Sequence, residues 1–404
     1  MQFFTRLLAA AATAAPFLAQ AAPLAPRQEN LIPDKYIVVL KPETDMASIT
    51  AHHETVRAIH ARNLARRTDE EASAGIEREY QFGDFKGYAG AFDSQTVEEL
   101  KSLPEVLLVE QDHMMTTSAL VTQSSSTWGL GSISSRTRGA TSYIYDDTAG
   151  AGTFSYIVDT GIRITHNDFE GRATWGFNAV NTNNNDNQGH GTHVAGTVGG
   201  RTYGVAKRTN LIAVKVFETN SSPSSTVIAG FQWAVNDIVS KRRTNSAVIN
   251  MSLGGIGSAA WDAAITAAWS QGVLAVVASG NENTLASTRS PARSPEALTV
   301  GNLNTNDARY NGAGASNYGP AVDIWAAGTG VVSTYFQSNT ATATLTGSSM
   351  ACPHVAGLVS YLRGLEGLST AAAVRARVIA LATPGRVTDG QGAANLVAYN
   401  GNGR

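Results

Sequence analysis

The stretch FSYIVDTGI, residues 154–162, is an apolar run that ends at one acidic residue, Asp159, just before a turn marked by Gly161. A strand that is apolar at nearly every position has no wet face, so it belongs in a sheet covered on both sides. LIAVKVF (211–217), AVINMSL (247–253) and VLAVVAS (273–279) repeat the pattern, while TVIAGFQWAVNDIVSK (226–241), SAAWDAAITAAWSQG (258–272) and ACPHVAGLVSYLRGL (351–365) have helical spacing. Buried strands alternating with helices predict an α/β fold, a doubly wound parallel sheet whose ligands bind outside the carboxyl ends of the strands. Asp159 stands at such an end. A buried carboxylate needs a hydrogen bond or a charged partner, and this stretch alone leaves two readings open, a cap for the next turn or a part in chemistry.

Two further stretches carry reactive side chains. In NQGHGTHVAG (187–196), His190 lies between glycines that allow a substrate or other backbone to come close, and His193 follows one helical turn later. The His-x-x-His pair lacks the glutamate and the i, i+4 spacing of the zinc-protease motif, so His190 reads as a general base and His193 as a packed structural histidine. In TLTGSSMACPHVAG (344–357), Gly347 permits a sharp turn and Ser348 and Ser349 open a helix. Pro353 is expected within its first turn or so. A hydroxyl there meets unpaired backbone N–H groups and the positive end of the helix dipole, which suit a developing oxyanion. Cys352 and His354 lie deeper and read as core. A serine needs a base to take its proton and a carboxylate to orient that base, which Asp159, His190 and Ser349 would supply in that chain order.

The rest of the chain frames an exported enzyme. Of 404 residues 15% are charged, for a formal net charge of −2, which excludes a broad basic field for nucleic acid. Residues 1–21 combine an early arginine, a short apolar stretch and Ala19-Gln20-Ala21, the pattern of a secretory signal peptide, and no later apolar run of about 20 residues would anchor the protein in a membrane. Cys352 is the single cysteine, so no intrachain disulfide can form. Residues 35–112 read as strand, helix, two strands, helix, strand, a ferredoxin-like α+β module. MMTTSALVTQSSST (114–127) reads as an exposed linker after it.

VDTGI, GHGTHVAGTVGG and GSSMACPHVAG resemble the three catalytic signatures of the subtilisin-like serine peptidases, with the proteinase K and oryzin branch most similar. TYGVAK, INMSLGG, SNYG and NLVAYNGN extend the resemblance across most of residues 119–404. It implies a broad-specificity endopeptidase favouring apolar or aromatic P1 residues, working as a monomer on proteins and peptides without a catalytic cofactor. Asn281 would be the oxyanion donor. Ser252, Leu253, Gly254 and Gly255, with Ser279 and Gly280, would bind substrate. Asp323, with the carbonyls of Pro295 and Ala297, would hold a structural calcium ion. Pro223 would fall on a second substrate-binding edge strand, where it removes a donor. Residues 35–112 resemble the family's inhibitor-type propeptide, implying a signal peptide at 1–21, a propeptide at 22–118 that templates folding and blocks the cleft, and the peptidase at 119–404. Departures from the family pattern are Ser348 for the usual Thr and Cys352 for Thr or Ser. Asn220-Ser221-Ser222 is a glycosylation sequon on an expected loop, and Asn250-Met251-Ser252 one in an expected buried strand.

Overall fold

A computed structural model describes residues 31–65, 74–114 and 120–403. The expected signal peptide and the expected maturation bond after Ser118 lie outside these residues. The chain divides into two compact units at residues 116 and 117.

In the first unit, Leu31–Leu40 is flanked by Phe85–Ala91 and Val106–His113, with Gly75–Phe82 at the edge. Every pairing is antiparallel, as the ferredoxin-like reading requires. The helices Met46–Leu64 and Ser94–Lys101 begin at Asp45 and Asp93, whose carboxylates accept from Ser48 N and Thr96 N. These bonds satisfy N–H groups that a helix start leaves open. Val38, Leu40, Val56, Tyr88, Phe92, Val97 and Leu100 make the small core.

In the second unit nine strands form one sheet, in the order Thr383–Pro384, Leu396–Val397, Ile324–Ala327, Leu298–Leu303, Ala275–Ala278, Ala247–Met251, Phe154–Asp159, Asn210–Lys215 and Ala173–Asn178. All neighbours run parallel except the first pair. The apolar runs are explained by what covers each face. Tyr156, Val158, Ile249 and Met251 pack on one side with residues of the helices Ser224–Ser240 and Ala259–Ser270. Ile157 and Val248 pack on the other with residues of His190–Gly199, Ser348–Glu366 and Ala371–Leu381. Alternate side chains of a strand point to opposite faces, so a sheet buried twice needs an apolar residue at each position. The last residues of this unit grip its early part: Asn400 N donates to Ile133 O, and Asn402 Nδ2 donates to Ser134 O and Ile144 O.

Three expectations change. Within the stretch read as a linker, Leu120–Gln123 is a strand pairing antiparallel with Tyr143–Asp146, its alternating half-exposed pattern being too short to register as period two. Pro223 lies on no strand. It sits immediately before the helix Ser224–Ser240, where its fixed φ of −58° and missing donor are harmless, and its carbonyl accepts from Thr226 N and Val227 N. Pro353 is the sixth residue of its helix rather than part of the first turn, so it gives up the N–H that would have met the Ser349 carbonyl.

Candidate active site

Asp159 ends its strand 1% exposed, and its carboxylate accepts from Thr160 N and from His190 Nδ1, at 2.8 and 2.9 Å to the two oxygens. The partner the sequence asked for is therefore His190, the first residue of the helix His190–Gly199. The first four N–H groups of a helix have no intrahelical acceptor. Here Gln188 Oε1 takes His190 N, Thr160 Oγ1 takes Gly191 N, Asp186 Oδ2 takes Thr192 N and Gly189 O takes His193 N. Gly191 has to be glycine, because a Cβ would lie 2.2 Å from Gly161 O. That close approach seats the helix start on the end of the Asp159 strand. Burial lowers the pKa of His190, but the charge and hydrogen bond of Asp159 and the charge of Asp186 outweigh it, and the net shift is upward.

Ser349 is the second residue of the helix Ser348–Glu366 and lines one cleft with Asp159 and His190. Its hydroxyl donates to Ser252 O at 3.1 Å. Asn281 follows the strand Ala275–Ala278, and its amide oxygen accepts from Ser348 N at 2.8 Å and Ser348 Oγ at 3.0 Å. Ser348 Oγ also accepts from Gly280 N. Ser348 is thus fully buried and holds Asn281, a task its sequence position did not announce.

Ser252, Leu253 and Gly254 line the cleft, and Gly255 pairs with Ser290 just beyond it. Ser279 and Gly280 are not among its lining residues: Ser279 is fully buried beside Ser316, and Gly280 lies behind Asn281 at φ +98°. Gln188, Phe217, Thr219 and Asn220 also line the cleft, and none of them was expected to bind substrate or take part in catalysis. Phe217 could have been found, since it follows the carboxyl end of a buried strand. Exposed Asn220 accepts from Gln188 Nε2 at 2.8 Å, which places that sequon on the cleft rim, whereas Asn250 is fully buried.

The other reactive side chains are held in the core. His193 Nε2 faces the carbonyls of Val331 and Ala343, His354 Nδ1 faces Met350 O, and burial pushes both histidines down to about 4. Cys352 is wholly buried against Asn250 Oδ1 and Val276 O, with its thiol pushed up to about 12. Asp323 is the carboxylate expected to hold calcium. Its oxygens accept instead from Thr299 N at 2.8 Å and from the Arg375 guanidinium at 3.1 Å. Among the described residues no group of three or more His, Cys, Asp or Glu side chains is placed to hold a metal. A calcium ion wants 6 to 8 oxygens and gains nothing from a guanidinium beside its one carboxylate, so these residues do not fit that ion.

Residues 150–402 match the Subtilase family, and residues 35–118 match Peptidase inhibitor I9. The chain is 52% identical over 374 residues to Alkaline protease 1 of Aspergillus clavatus, covering 92% of each chain. It is 51% identical over 397 residues to Alkaline proteinase of Hapsidospora chrysogena, covering 95% of this chain and 96% of that one. A solved cold adapted subtilisin-like serine proteinase is 36% identical, superposes with a TM-score of 0.63 and is covered to 99%, taking in 69% of this chain. The chain belongs to the subtilase family: it is a subtilisin-like serine endopeptidase with an inhibitor I9 propeptide domain ahead of its catalytic unit.

Proposed function

We propose that the protein is secreted as a precursor, frees itself by cutting between residues 116 and 120 with Ser118-Ala119 as the favoured bond, and then hydrolyses proteins at apolar or aromatic P1 residues. The observation that carries the reading is the bond from His190 Nδ1 to the buried Asp159 carboxylate, in the cleft that Ser349 also lines. With Nδ1–H donating to Asp159, Nε2 is left as the lone-pair nitrogen, the tautomer a base needs. Substrate enters along Ser252–Gly255, where small residues let a peptide backbone lie as an added strand. The Ser349 hydroxyl turns from Ser252 O to His190 Nε2, gives up its proton and attacks the scissile carbonyl carbon. The resulting oxyanion is met by the Ser349 N–H, which the helix itself cannot satisfy, and by the Asn281 amide N–H, whose oxygen Ser348 already holds. His190 then protonates the leaving amine, and water repeats the cycle on the acyl-enzyme.

The raised pKa of His190 means that the neutral base appears only above the ordinary histidine value of 6.5, so kcat/KM is expected to climb across an acid limb displaced to higher pH. Asn281→Ala is expected to lower kcat by about 10²- to 10³-fold, the scale measured for one such donor in a subtilisin. The direct test is a serine-directed phosphonate followed by mass mapping. Stoichiometric label on Ser349 with loss of activity is expected. Label elsewhere, or full activity after labelling, would remove the assignment.

A further inference from the structure

Asp186 lies in the asparagine-rich loop before the His190 helix, 6% exposed, and its polar contacts reach from its own loop to the residue after Asp159 and to the first turn of that helix. Its Oδ1 accepts from Gln188 N at 3.1 Å, Gly189 N at 2.8 Å and the Thr160 hydroxyl at 2.9 Å. Its Oδ2 accepts from Thr192 N at 3.0 Å and the Thr192 hydroxyl at 2.6 Å. Thr160 is the residue after Asp159, and its hydroxyl in turn accepts from Gly191 N. Thr192 Oγ1 likewise accepts from Arg163 N. One buried carboxylate therefore anchors both the turn that carries Asp159 and the first turn of the helix that carries His190.

We propose that Asp186 is a positioning residue for the reaction: through Thr160 and Thr192 it fixes the His190 ring against Asp159. This rests on His190 being the base. Two negative charges act on His190, Asp159 from the strand end and Asp186 from the loop, and both favour the protonated ring. His193 on the same helix and His354 on the Ser349 helix stay neutral above about pH 4, and among the described residues Asp159 and His190 are the titratable side chains that line the cleft. A carboxylate buried only to cap a helix would need the contacts to Gly189 and Thr192. The additional contact to Thr160, which has no place in capping, is what connects it to the Asp159 side of the pair.

Two substitutions separate the parts. Asp186→Asn removes the charge and keeps one acceptor oxygen, while Thr160→Val removes the bridge and keeps the charge. Each precursor is to be processed by a trace of wild-type enzyme and its active sites counted with the phosphonate. For Asp186→Asn the expected result is kcat per counted site lower by about 10²-fold with KM little changed, as for a misplaced catalytic group, and an acid limb moved to lower pH. For Thr160→Val kcat falls in the same way while the limb stays where it is. Wild-type kcat per counted site in both variants, with only the folded yield reduced, would overturn the proposal, as would an unmoved limb in Asp186→Asn. Should Asp186→Asn fail to fold, Thr160→Val decides alone, an unchanged kcat overturning the positioning role. Failure of the underlying reading is distinguishable, because the wild-type enzyme itself would then take no label on Ser349.

Discussion

The two units solve the same problem with unequal means. Among the described residues the first rests on one small cluster around Tyr88 and Phe92, and its helix Met46–Leu64 buries His52, His53 and His60 where a larger domain would place leucines. His52 leans on Glu105 and His53 on Glu79, both glutamates partly in water, and Phe82, Leu107 and Met46 stand exposed. The catalytic unit covers its sheet on both faces and can bury whole charges. Lys215 is fully buried, with its ammonium on Asn185 O and Glu218, and Arg363 is fully buried, with its guanidinium on Thr244 O. The fraction of surface a chain can bury rises with its size, so a domain as small as the first keeps little stability in reserve. On the proposed maturation the first unit is discarded, and a unit with that fate can be marginal. The unit that keeps working has to hold its polar groups in place.

The largest effect that probes this contrast is Ser349→Ala. Turnover is expected to fall by about 10⁶-fold, the scale measured for loss of the nucleophile in a subtilisin, and the two units are expected to stay in one chain, read by intact mass. A variant that still arrives cut near Ser118 in a protease-deficient host would break the link between the cleft and the fate of the first unit.

That uncut chain also allows one truncation to be compared in both cores. Phe92→Ala and Phe231→Ala each remove a fully or almost fully buried ring, at about 3–5 kcal/mol. In calorimetry the first is expected to abolish the transition of the small unit, and the second to lower that of the catalytic unit and leave it intact. The reverse outcome would mean that the reserve lies in the wrong place.

Acid sharpens the comparison further. His193 and His354 are held neutral at about 4 in the fold, against 6.5 unfolded. As pH falls below 6.5 the unfolded chain takes up protons the fold refuses, and stability drops until about pH 4, on the order of 3 kcal/mol for each histidine. Burial also lowers His52 and His53, so both units weaken in the same direction and the smaller is expected to melt first in scans between pH 7 and pH 4. His190 has the opposite sign. Its raised pKa adds stability at low pH that is lost as pH rises through the folded value.

The smallest effect concerns Asp323. With Arg375 already beside it, calcium or a chelator is expected to leave the thermal inactivation rate nearly unchanged. Arg375→Gln frees one oxygen and is expected to make that rate respond to calcium. A wild-type protein stabilised strongly by calcium would show that the ion displaces the guanidinium.

These outcomes bear unequally on what the sequence reveals. The strand Phe154–Asp159 was legible because burial on two faces writes an apolar residue at every position, and Asp159, His190 and Ser349 were legible because each stands where such a strand or a helix begins or ends. Asp186 was hidden. It sits among asparagines that read as a solvated loop, and only the folding of that loop over Thr160 makes its carboxylate a hub. Arg375 was hidden for a related reason: its distance from Asp323 is a matter of tertiary packing between a helix and a strand entrance far apart in the chain. Pro223 shows the converse error, in which a resemblance supplied an edge strand where local chemistry, a proline ahead of Ser224 and Ser225, already favoured a helix start.

The grip of Asn402 on Ser134 and Ile144 joins residues 268 and 258 positions apart. At equilibrium such bonds add little. In time they matter more, because folding rates fall as the mean sequence separation of native contacts rises, and a parallel sheet that must be assembled before its ends can meet is a slow search. The closing contacts reward the chain only after nearly all of the catalytic unit is in register. Once the two ends of the unit have met, fraying from either has first to break a contact made at the other.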